Sequence, residues 1–306
     1  MKKELTIFLI LSFFISWSVN FAIGQSPYEF VASYGTKGSG DGEFNVPHSI
    51  AFDSQDNMYI TDEENNRVQK FTSNGTFLTK WGTKGNGDGE FIRPEGIEVD
   101  SLGYVYVADT DNSRIQKFTS NGSFVTEWGT KGTGDGEFSS HAHGIATDES
   151  NNVYVTDRFN NRVQKFTSNG TFLTKWGTNG TGSGEFNEPH SSAIDSLNNV
   201  YVSDMNNHRV QKFTSNGTLL TKWGTNGTGS GEFSRLLGID RDSSNNIYIV
   251  DQANSNVQVF TSNGIFVTKL SSKEFSKLED IELDSKNNLY VTDRDRHIIL
   301  KFSPID

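Results

Sequence analysis

The stretch NNRVQKFTSNGTFLTKWGT occupies residues 65–83 and returns, letter for letter, at residues 160–178. Near-copies occur elsewhere along the chain, each preceded by a tyrosine-containing run that ends in aspartate. These aspartates are Asp62, Asp109, Asp157, Asp204, Asp251 and Asp293, and they lie 47, 48, 47, 47 and 42 residues apart. A period of this length indicates that the chain is built from six copies of one supersecondary unit.

Each unit contains four short runs that are rich in β-branched and aromatic residues and separated by turn signals. In the first unit these runs are HSIAFD (48–53), NMYITD (57–62), RVQKFT (67–72) and TFLTKWG (76–82). The Asn-Gly pair between the third and fourth runs predicts a tight type I′ hairpin, and the polar residues 53–57 predict a turn. Four antiparallel strands repeated radially form the blades of a β-propeller.

The two ends of the chain predict how the ring closes. Residues 28–38 match the fourth strand of a unit, whereas the last unit stops after its third strand, residues 298–302. Residues 28–36 are therefore predicted to complete the last blade, which removes the open sheet edges. The prediction is an all-β, six-bladed propeller over residues 25–306, with blades at about 47–82, 94–129, 142–177, 189–224, 237–270 and 279–302 plus 28–36.

Residues 1–24 differ in kind from the repeats. Lys2 and Lys3 precede an apolar run, residues 5–19, and the small residues Ala22 and Gly24 follow it. This order predicts a signal peptide that is cleaved near Gly24, and hence a secreted or cell-surface protein with no membrane span in its mature chain. Because residues 5–24 are about as long as a bilayer-spanning helix, an N-terminal membrane anchor is the alternative.

Composition excludes some functions. The 306 residues carry a formal charge of -11, which argues against a nucleic-acid partner, and the absence of cysteine excludes thiolate catalysis and Cys-zinc sites. Arginines recur five residues after an aspartate in four units, which predicts Asp–Arg pairs instead of a basic binding stripe. These arginines are Arg67, Arg114, Arg162 and Arg209.

The recurring pattern G-x-G-[DS]-G-E-F, followed by P-x-G-I-x-x-D, N-x-Y-V-x-D and N-x-R-V-Q-K-F, closely resembles the NHL repeat. It covers essentially the whole chain after residue 24. The resemblance implies a propeller in which the phenylalanine after each glycine-rich loop packs between blades. It leaves the function open, since NHL propellers include RNA-binding modules, protein-binding sensor domains and lyases.

The residue five positions before the aspartate that follows each first strand is predicted to lie at one mouth of the central channel. Around the ring these residues are His48, Glu95, His143, His190, Leu237 and Glu279. The three histidines and two glutamates together predict a site for zinc or another divalent cation. The alternative is that the histidines only pack or form hydrogen bonds at the start of a strand.

The Pro-His-Ser sequence at residues 47–49 and 189–191 also resembles positions in the peptidyl-hydroxyglycine amidating lyase, an enzyme of the NHL type. Histidines at such positions hold a catalytic zinc in that family, and the resemblance implies this role for His48, His143 and His190. The chain departs from the pattern at His143, which follows Ala142 instead of a proline.

Two functions are compatible with these observations. The leading hypothesis is an exported, monomeric, non-enzymatic module that binds a protein, a small molecule or a glycan through one loop face. The loops between second and third strands lie on the histidine side and differ most between units: EENN, TDNS, RFNN, MNNH, QANS and RDRH. The alternative is a metal-dependent lyase or hydrolase with its site at the channel mouth.

Six Asn-x-Ser/Thr sequences predict glycosylation in an exported protein, and four of them coincide with the Asn-Gly hairpins. The asparagines are Asn74, Asn121, Asn169, Asn179, Asn216 and Asn226.

Overall fold

The computed structural model describes residues 27–305, which form a ring of six four-stranded antiparallel sheets. The predicted signal peptide, residues 1–24, lies outside the described residues. Within residues 27–305, no helix is long and apolar enough to cross a membrane. The prediction of a six-bladed, all-β propeller is confirmed.

The chain begins with β1 (Tyr28–Tyr34). Blade one contains β2 (Pro47–Phe52), β3 (Met58–Asp62), β4 (Arg67–Phe71) and β5 (Phe77–Trp81). Blade two contains β6 (Pro94–Val99), β7 (Val105–Asp109), β8 (Arg114–Phe118) and β9 (Phe124–Trp128). Blade three contains β10 (Ala142–Thr147), β11 (Val153–Asp157), β12 (Arg162–Phe166) and β13 (Phe172–Trp176).

Blade four contains β14 (Pro189–Ile194), β15 (Val200–Asp204), β16 (Arg209–Phe213) and β17 (Leu219–Trp223). A short parallel pair, β18 (Thr225–Asn226) and β19 (Glu232–Phe233), follows it. Blade five contains β20 (Leu236–Arg241), β21 (Ile247–Asp251), β22 (Asn256–Phe260) and β23 (Phe266–Ser271). Blade six contains β24 (Leu278–Leu283), β25 (Leu289–Asp293) and β26 (Ile298–Pro304).

Single 3-10 turns connect the second and third strands of the first five blades. They span Glu63–Asn65, Thr110–Asn112, Arg158–Asn160, Met205–Asn207 and Gln252–Asn254.

The N-terminal strand closes the ring. β1 pairs antiparallel with β26, from Tyr28 opposite Pro304 to Tyr34 opposite Ile299, and the sheet order is β1-β26-β25-β24. The sixth blade therefore takes its outer strand from the other end of the chain, as its sequence predicts. With the ring closed, each four-stranded sheet ends at an inner strand along the channel and at an outer strand on the rim.

Burial follows from stacking each blade between two neighbours. In blade one, β3 and β4 are buried at every residue, whereas the outer strand β5 alternates between half-buried and exposed residues. The phenylalanine that ends a glycine-rich loop fills the space between blades: Phe91 packs with Tyr59 of blade one and Phe118 of blade two. This packing confirms the role predicted for these phenylalanines.

The predicted Asp–Arg pairs fasten the glycine-rich loops to the blades. In blade one the Arg67 guanidinium donates from Nε to Asp62 Oδ2 at 2.8 Å. Its remaining nitrogens donate to the carbonyls of Ser39, Gly40 and Glu43, which lie in the loop. The same ion pair forms in the next three blades, so the pairing is structural.

The hairpin prediction needs a correction. A type I′ turn requires positive φ at both central residues. Gly75 has φ 83°, but Asn74 is not among the residues with positive φ. The Gly75 N–H donates to Thr72 O and the Thr72 N–H to Thr76 O, each at 2.9 Å. The loop is therefore one residue longer than predicted, with a type I turn closed by a left-handed glycine.

Candidate metal centre and channel cavity

The six first strands line the central channel, and a bulge in each one turns side chains towards its axis. In blade one, Pro47 pairs with Asp62 and the next pair is Ile50 with Ile60, so the register shifts between them. His48 and Ser49 lie in this irregular segment. Such bulges commonly redirect side chains beside functional sites.

Hydroxyl groups hold these irregular segments in place. Thr61 Oγ1 accepts from the Ser49 N–H at 2.9 Å and donates to the Glu95 carbonyl of the next blade at 2.6 Å. Thr292 and Thr156 donate in the same way to the carbonyls of His48 and His190, at 2.8 and 2.9 Å. The backbone beneath the candidate ligands is thus bonded to the neighbouring blade.

All five residues of the predicted metal site meet in the channel, and we call them the histidine cluster: His48, Glu95, His143, His190 and Glu279. The ring centroids of His143 and His190 are 3.8 Å apart, and those of His48 and His143 are 5.0 Å apart. Even His48 and His190 lie within 6.4 Å. Ligand atoms of His48, His143 and Glu279 all lie within 4.8 Å of one another.

Nitrogen–oxygen distances within the histidine cluster are short. Glu279 Oε1 lies 3.3 Å from His190 Nε2 and 3.6 Å from His48 Nε2. Glu95 Oε2 lies 3.4 Å from His143 Nε2. The three histidines are only 2–3% exposed, and within residues 27–305 their Nδ1 atoms have no hydrogen-bond partner.

Burial keeps these imidazoles neutral. Desolvation lowers the pKa of His48, His143 and His190 well below the ordinary value, and nearby positive charges add to the effect. Burial, with Glu63 close by, raises the pKa of Glu95 to about 8. A neutral imidazole has a free lone pair, which is the form that binds a metal ion.

Three residues that sequence reasoning missed close the channel on the side of the second-to-third-strand loops. Glu63 is fully buried and accepts from Arg93 at 2.6 Å and from Arg294 at 2.8 Å. Arg294 also contacts Glu279 at 3.3 Å. We call Glu63, Arg93 and Arg294 the loop-face seal. Glu63 and Arg294 are the first residues of EENN and RDRH, so their deviation from the other loops was the available signal.

On the other side of the histidines the channel widens into a cavity of about 320 Å³. It reaches from the three histidine rings to Ser243 and Ser285, which lie in turns between first and second strands. We call it the acidic cavity, because five carboxylates line it: Glu98, Asp240, Asp280, Glu282 and Asp284. The route to the histidines therefore opens on the face opposite the loops that vary most.

Asp280 is a further residue that the sequence analysis missed. Its carboxylate accepts from the Ser49 hydroxyl and from the Ile50 N–H across the junction between blades six and one. The equivalent positions in the other blades hold only serine or glycine, which was the signal. Burial raises the pKa of Asp280 to about 6.

The six predicted glycosylation asparagines are all exposed on hairpins or glycine-rich loops. Their exposure is compatible with modification, which remains a prediction.

Comparison with known proteins extends this description. The NHL-repeat family model matches residues 44–71, 91–118, 140–166 and 186–213, and a model described as a 6-bladed beta-propeller matches residues 241–304. The chain is an NHL-repeat six-bladed β-propeller. A search of curated proteins by sequence finds no significant match for this NHL propeller.

Solved structures share the fold at low sequence identity. Virginiamycin B lyase from Staphylococcus aureus is 15% identical with a TM-score of 0.63, and the match covers 85% of this chain and 96% of the lyase. A gluconolactonase from Xanthomonas campestris is 13% identical with a TM-score of 0.64, covering 87% of this chain and 88% of the other. A Bacteroides thetaiotaomicron protein of unknown function is 18% identical with a TM-score of 0.64, covering 89% and 76%. At these identities the likeness shows the fold alone.

Proposed function

We propose that this NHL propeller is a metal-dependent lyase or hydrolase that acts on a small molecule in the central channel. The observation that carries the proposal is the spacing within the histidine cluster. Ligands around a tetrahedral zinc ion, bound at about 2.0–2.1 Å, lie ~3.3 Å apart. The three Nε2–carboxylate distances are 3.3, 3.4 and 3.6 Å.

The chemistry of the donors fits a divalent cation such as zinc. Neutral imidazoles bind it without first losing a proton, and Glu279 supplies a carboxylate. Arg294 and Gln252 Nε2, which lies 3.2 Å from Glu279 Oε2, orient that carboxylate from outside the cluster. When bound, zinc supplies Lewis-acid chemistry and lowers the pKa of a coordinated water.

The surroundings fit a reaction on a small substrate. The loop-face seal excludes solvent on one side of the histidine cluster, and the acidic cavity leads to it from the other. A cavity of about 320 Å³ is at the small end of the range for ligand sites. The lyase and lactonase among the structural neighbours show that related propellers include enzymes, which supports testing catalysis.

The first test measures metal content by mass spectrometry after purification without chelators or a histidine tag. We expect one ion per chain in the wild type and none in a His48→Ala/His190→Ala variant. The matched control is His208→Asn/His297→Asn, which alters two histidines outside the cluster and keeps residues suited to their left-handed backbone, φ 54° and 58°. A folded, metal-free wild type contradicts the proposal.

The second test measures turnover of a panel containing a streptogramin B, gluconolactone, simple esters and a peptidyl-hydroxyglycine. We expect turnover of at least one class that a chelator abolishes and added zinc restores. Turnover that survives the chelator rules out a metal-dependent reaction.

A binding function of the loop face is the second candidate, and one observation favours it. Phe159, in the turn Arg158–Asn160, is 45% exposed, and the His141 ring lies 4.4 Å from it. An exposed aromatic side chain beside an arginine is typical of protein-binding surfaces. We expect Phe159→Ala to abolish retention of a cell-surface partner, while Leu173→Ala, equally exposed on β13, leaves it unchanged.

The proposed setting is outside the cytoplasm, by export through the N-terminal segment. Fractionation of cells expressing the full chain tests it: recovery in the cytosol contradicts export, and recovery with the membrane favours the anchor.

A further inference from the structure

We propose that the acidic cavity binds the positively charged group of an organic molecule, an ammonium or a guanidinium, and that the substrate of the channel carries such a group. This inference deepens the proposed function by naming a substrate class. It rests on that function only in treating the acidic cavity as the substrate's route to the histidine cluster.

The charges that line the cavity are unbalanced. Arg241 is the one lysine or arginine among its lining residues in the described part of the chain, whereas five acidic residues line it: Glu98, Asp240, Asp280, Glu282 and Asp284. Arg241 is directed to the wall, because its Nε donates to the Ile194 carbonyl at 2.6 Å. Asp284 is occupied within its own turn, where it accepts from the Lys286 and Asn288 N–H groups at 3.0 and 2.9 Å, so four acidic side chains and one guanidinium remain.

These carboxylates have hydrogen-bonding capacity left for a ligand. Glu98 accepts one bond, from Thr147 Oγ1 at 3.0 Å, and Asp240 accepts from the Leu283 N–H at 2.8 Å and from the Arg241 N–H. The Glu282 backbone pairs with Tyr290, but its carboxylate forms no hydrogen bond or ion pair with any other residue between 27 and 305. A carboxylate has about four acceptor positions, so most of these are free.

A second observation comes from the opposite end of the same cavity. His48, His143 and His190 line its floor, are almost fully buried, and have Nδ1 atoms without a partner in the described structure. Buried polar atoms are nearly always bonded, so unpartnered ones in a cavity wall point to a molecule that completes them. Polar groups at both ends of the cavity therefore have hydrogen-bonding capacity left for a ligand.

The spacing of the carboxylates favours an organic cation over a bare metal ion. Among residues 27–305, the groups with three ligand atoms within 4.8 Å of one another are the two around the histidines, and neither contains Glu98, Asp240 or Glu282. Ammonium and guanidinium groups carry three to five N–H donors, which reach several separated carboxylates at once.

The pKa values of these carboxylates favour the binding of a cation. Burial and mutual repulsion raise the pKa of Glu98 to about 8 and that of Asp240 to about 7, and they raise the pKa of Glu282 well above its usual value. When no cation is bound, these carboxylates therefore hold protons near neutral pH. A bound cation replaces those protons, as a charged partner does at any carboxylate.

The experiment is saturation-transfer NMR on chelator-treated protein with N-methylguanidinium as probe and N-methylurea, its uncharged isostere, as comparison. We expect saturable binding of N-methylguanidinium in the millimolar range and none of N-methylurea. Glu98→Gln/Glu282→Gln removes two charges and keeps side-chain size, and we expect it to weaken binding at least tenfold. Glu149→Gln/Glu64→Gln, with two exposed glutamates outside the cavity, is the control with equal charge.

Equal binding of both probes, no binding of either, or unchanged affinity in Glu98→Gln/Glu282→Gln overturns the inference. Because the protein is metal-free in this experiment, a missing metal centre does not affect the outcome. Conversely, metal content is measured separately on Glu98→Gln/Glu282→Gln, where we expect it to be unchanged. The two proposals therefore fail independently.

Discussion

The two ends of the channel are built by the same six strands, yet their electrostatics differ. At the loop face, Glu63 is paired with two guanidinium groups, which oppose the rise that burial causes in its pKa. In the acidic cavity, five carboxylates share the walls with a single guanidinium group, that of Arg241. Glu95 and Glu98 show how close the two environments are, since only Gly96 and Ile97 of β6 lie between them.

The comparison shows what distinguishes the two ends. Buried carboxylates with cationic partners close the channel, whereas buried carboxylates without such partners form a candidate binding site. Compensated charges at the loop face form bonds with one another and seal the channel. Uncompensated charges in the cavity hold protons or a cation instead, because a buried carboxylate without a partner is costly to ionise. The histidine cluster lies between the two and is closed on one side and accessible from the other.

The largest effect we expect is stabilisation by metal. Zinc at a thousandfold excess over its dissociation constant adds about 4 kcal/mol to the free energy of unfolding, because it binds only the folded histidine cluster. Urea denaturation with zinc and with a chelator measures it. His48→Ala/His190→Ala should show no response, and His208→Asn/His297→Asn the full response. An equal response in all three proteins shows that zinc acts elsewhere.

The next largest expected effect is the loss of stability when the loop-face seal is broken. Glu63→Ala leaves Arg93 and Arg294 without their shared partner and should lower the free energy of unfolding by about 3 kcal/mol. We choose the low end for a buried ion pair because the two arginine side chains are 38% and 25% exposed. Urea denaturation measures the loss. The neighbouring Glu64→Ala is the exposed control, and a similar loss there refutes the explanation.

A smaller effect is a pH dependence of the free energy of unfolding, which arises from Glu98 in the acidic cavity. The pKa of Glu98 is raised to about 8 by burial, with Asp240, Asp100 and Asp280 nearby. The folded state therefore keeps a proton that the unfolded state loses, and stability falls as pH rises from about 4.5 to 8. Glu98→Gln should match the wild type at pH 5 and be more stable by about 2 kcal/mol at pH 8.5. Urea denaturation of the metal-free proteins tests this, and equal stability at both pH values contradicts it.

The smallest effect concerns the hydroxyl that supports the bulge. Thr61→Val leaves the Ser49 N–H and the Glu95 carbonyl without their bonds and should cost about 1–2 kcal/mol. Thr79→Val on the outer strand is the control, with an expected change near zero. Crystal structures of the variants check whether Glu95 moves. A destabilised protein with an unmoved Glu95 limits the role of Thr61 to stability.

Much of the fold was predictable because the same sequence signals for strands and turns occur in each copy of the repeat. The Asp62–Arg67 pair recurs in four blades and Phe91 has equivalents at the same repeat position, so one correct interpretation applies to each copy. The hairpin prediction was wrong because an Asn-Gly pair is compatible with hairpin loops of two and of three residues. Only the strand register distinguishes the two loop lengths. The members of the histidine cluster were predicted because they share one repeat position.

The residues that were missed occupy positions without that regularity. Arg93 and Glu63 meet across two blades, 30 residues apart in sequence, and their pairing depends on how far neighbouring blades rotate about the channel. The side from which the channel is accessible also depends on contacts between blades. The loop-face variation suggested an open surface, whereas Glu63 and Arg294 turn inward and bond to each other.

The sequence by itself determined the number of blades, the closure by β1 and the repeat position that contributes the histidine cluster, because periodicity and strand alternation are local properties. The tertiary structure decided which of those residues touch, which charges are compensated and which mouth stays open. These properties depend on distances between side chains from different blades. Burial sets their energies, and burial exists only once the ring has closed.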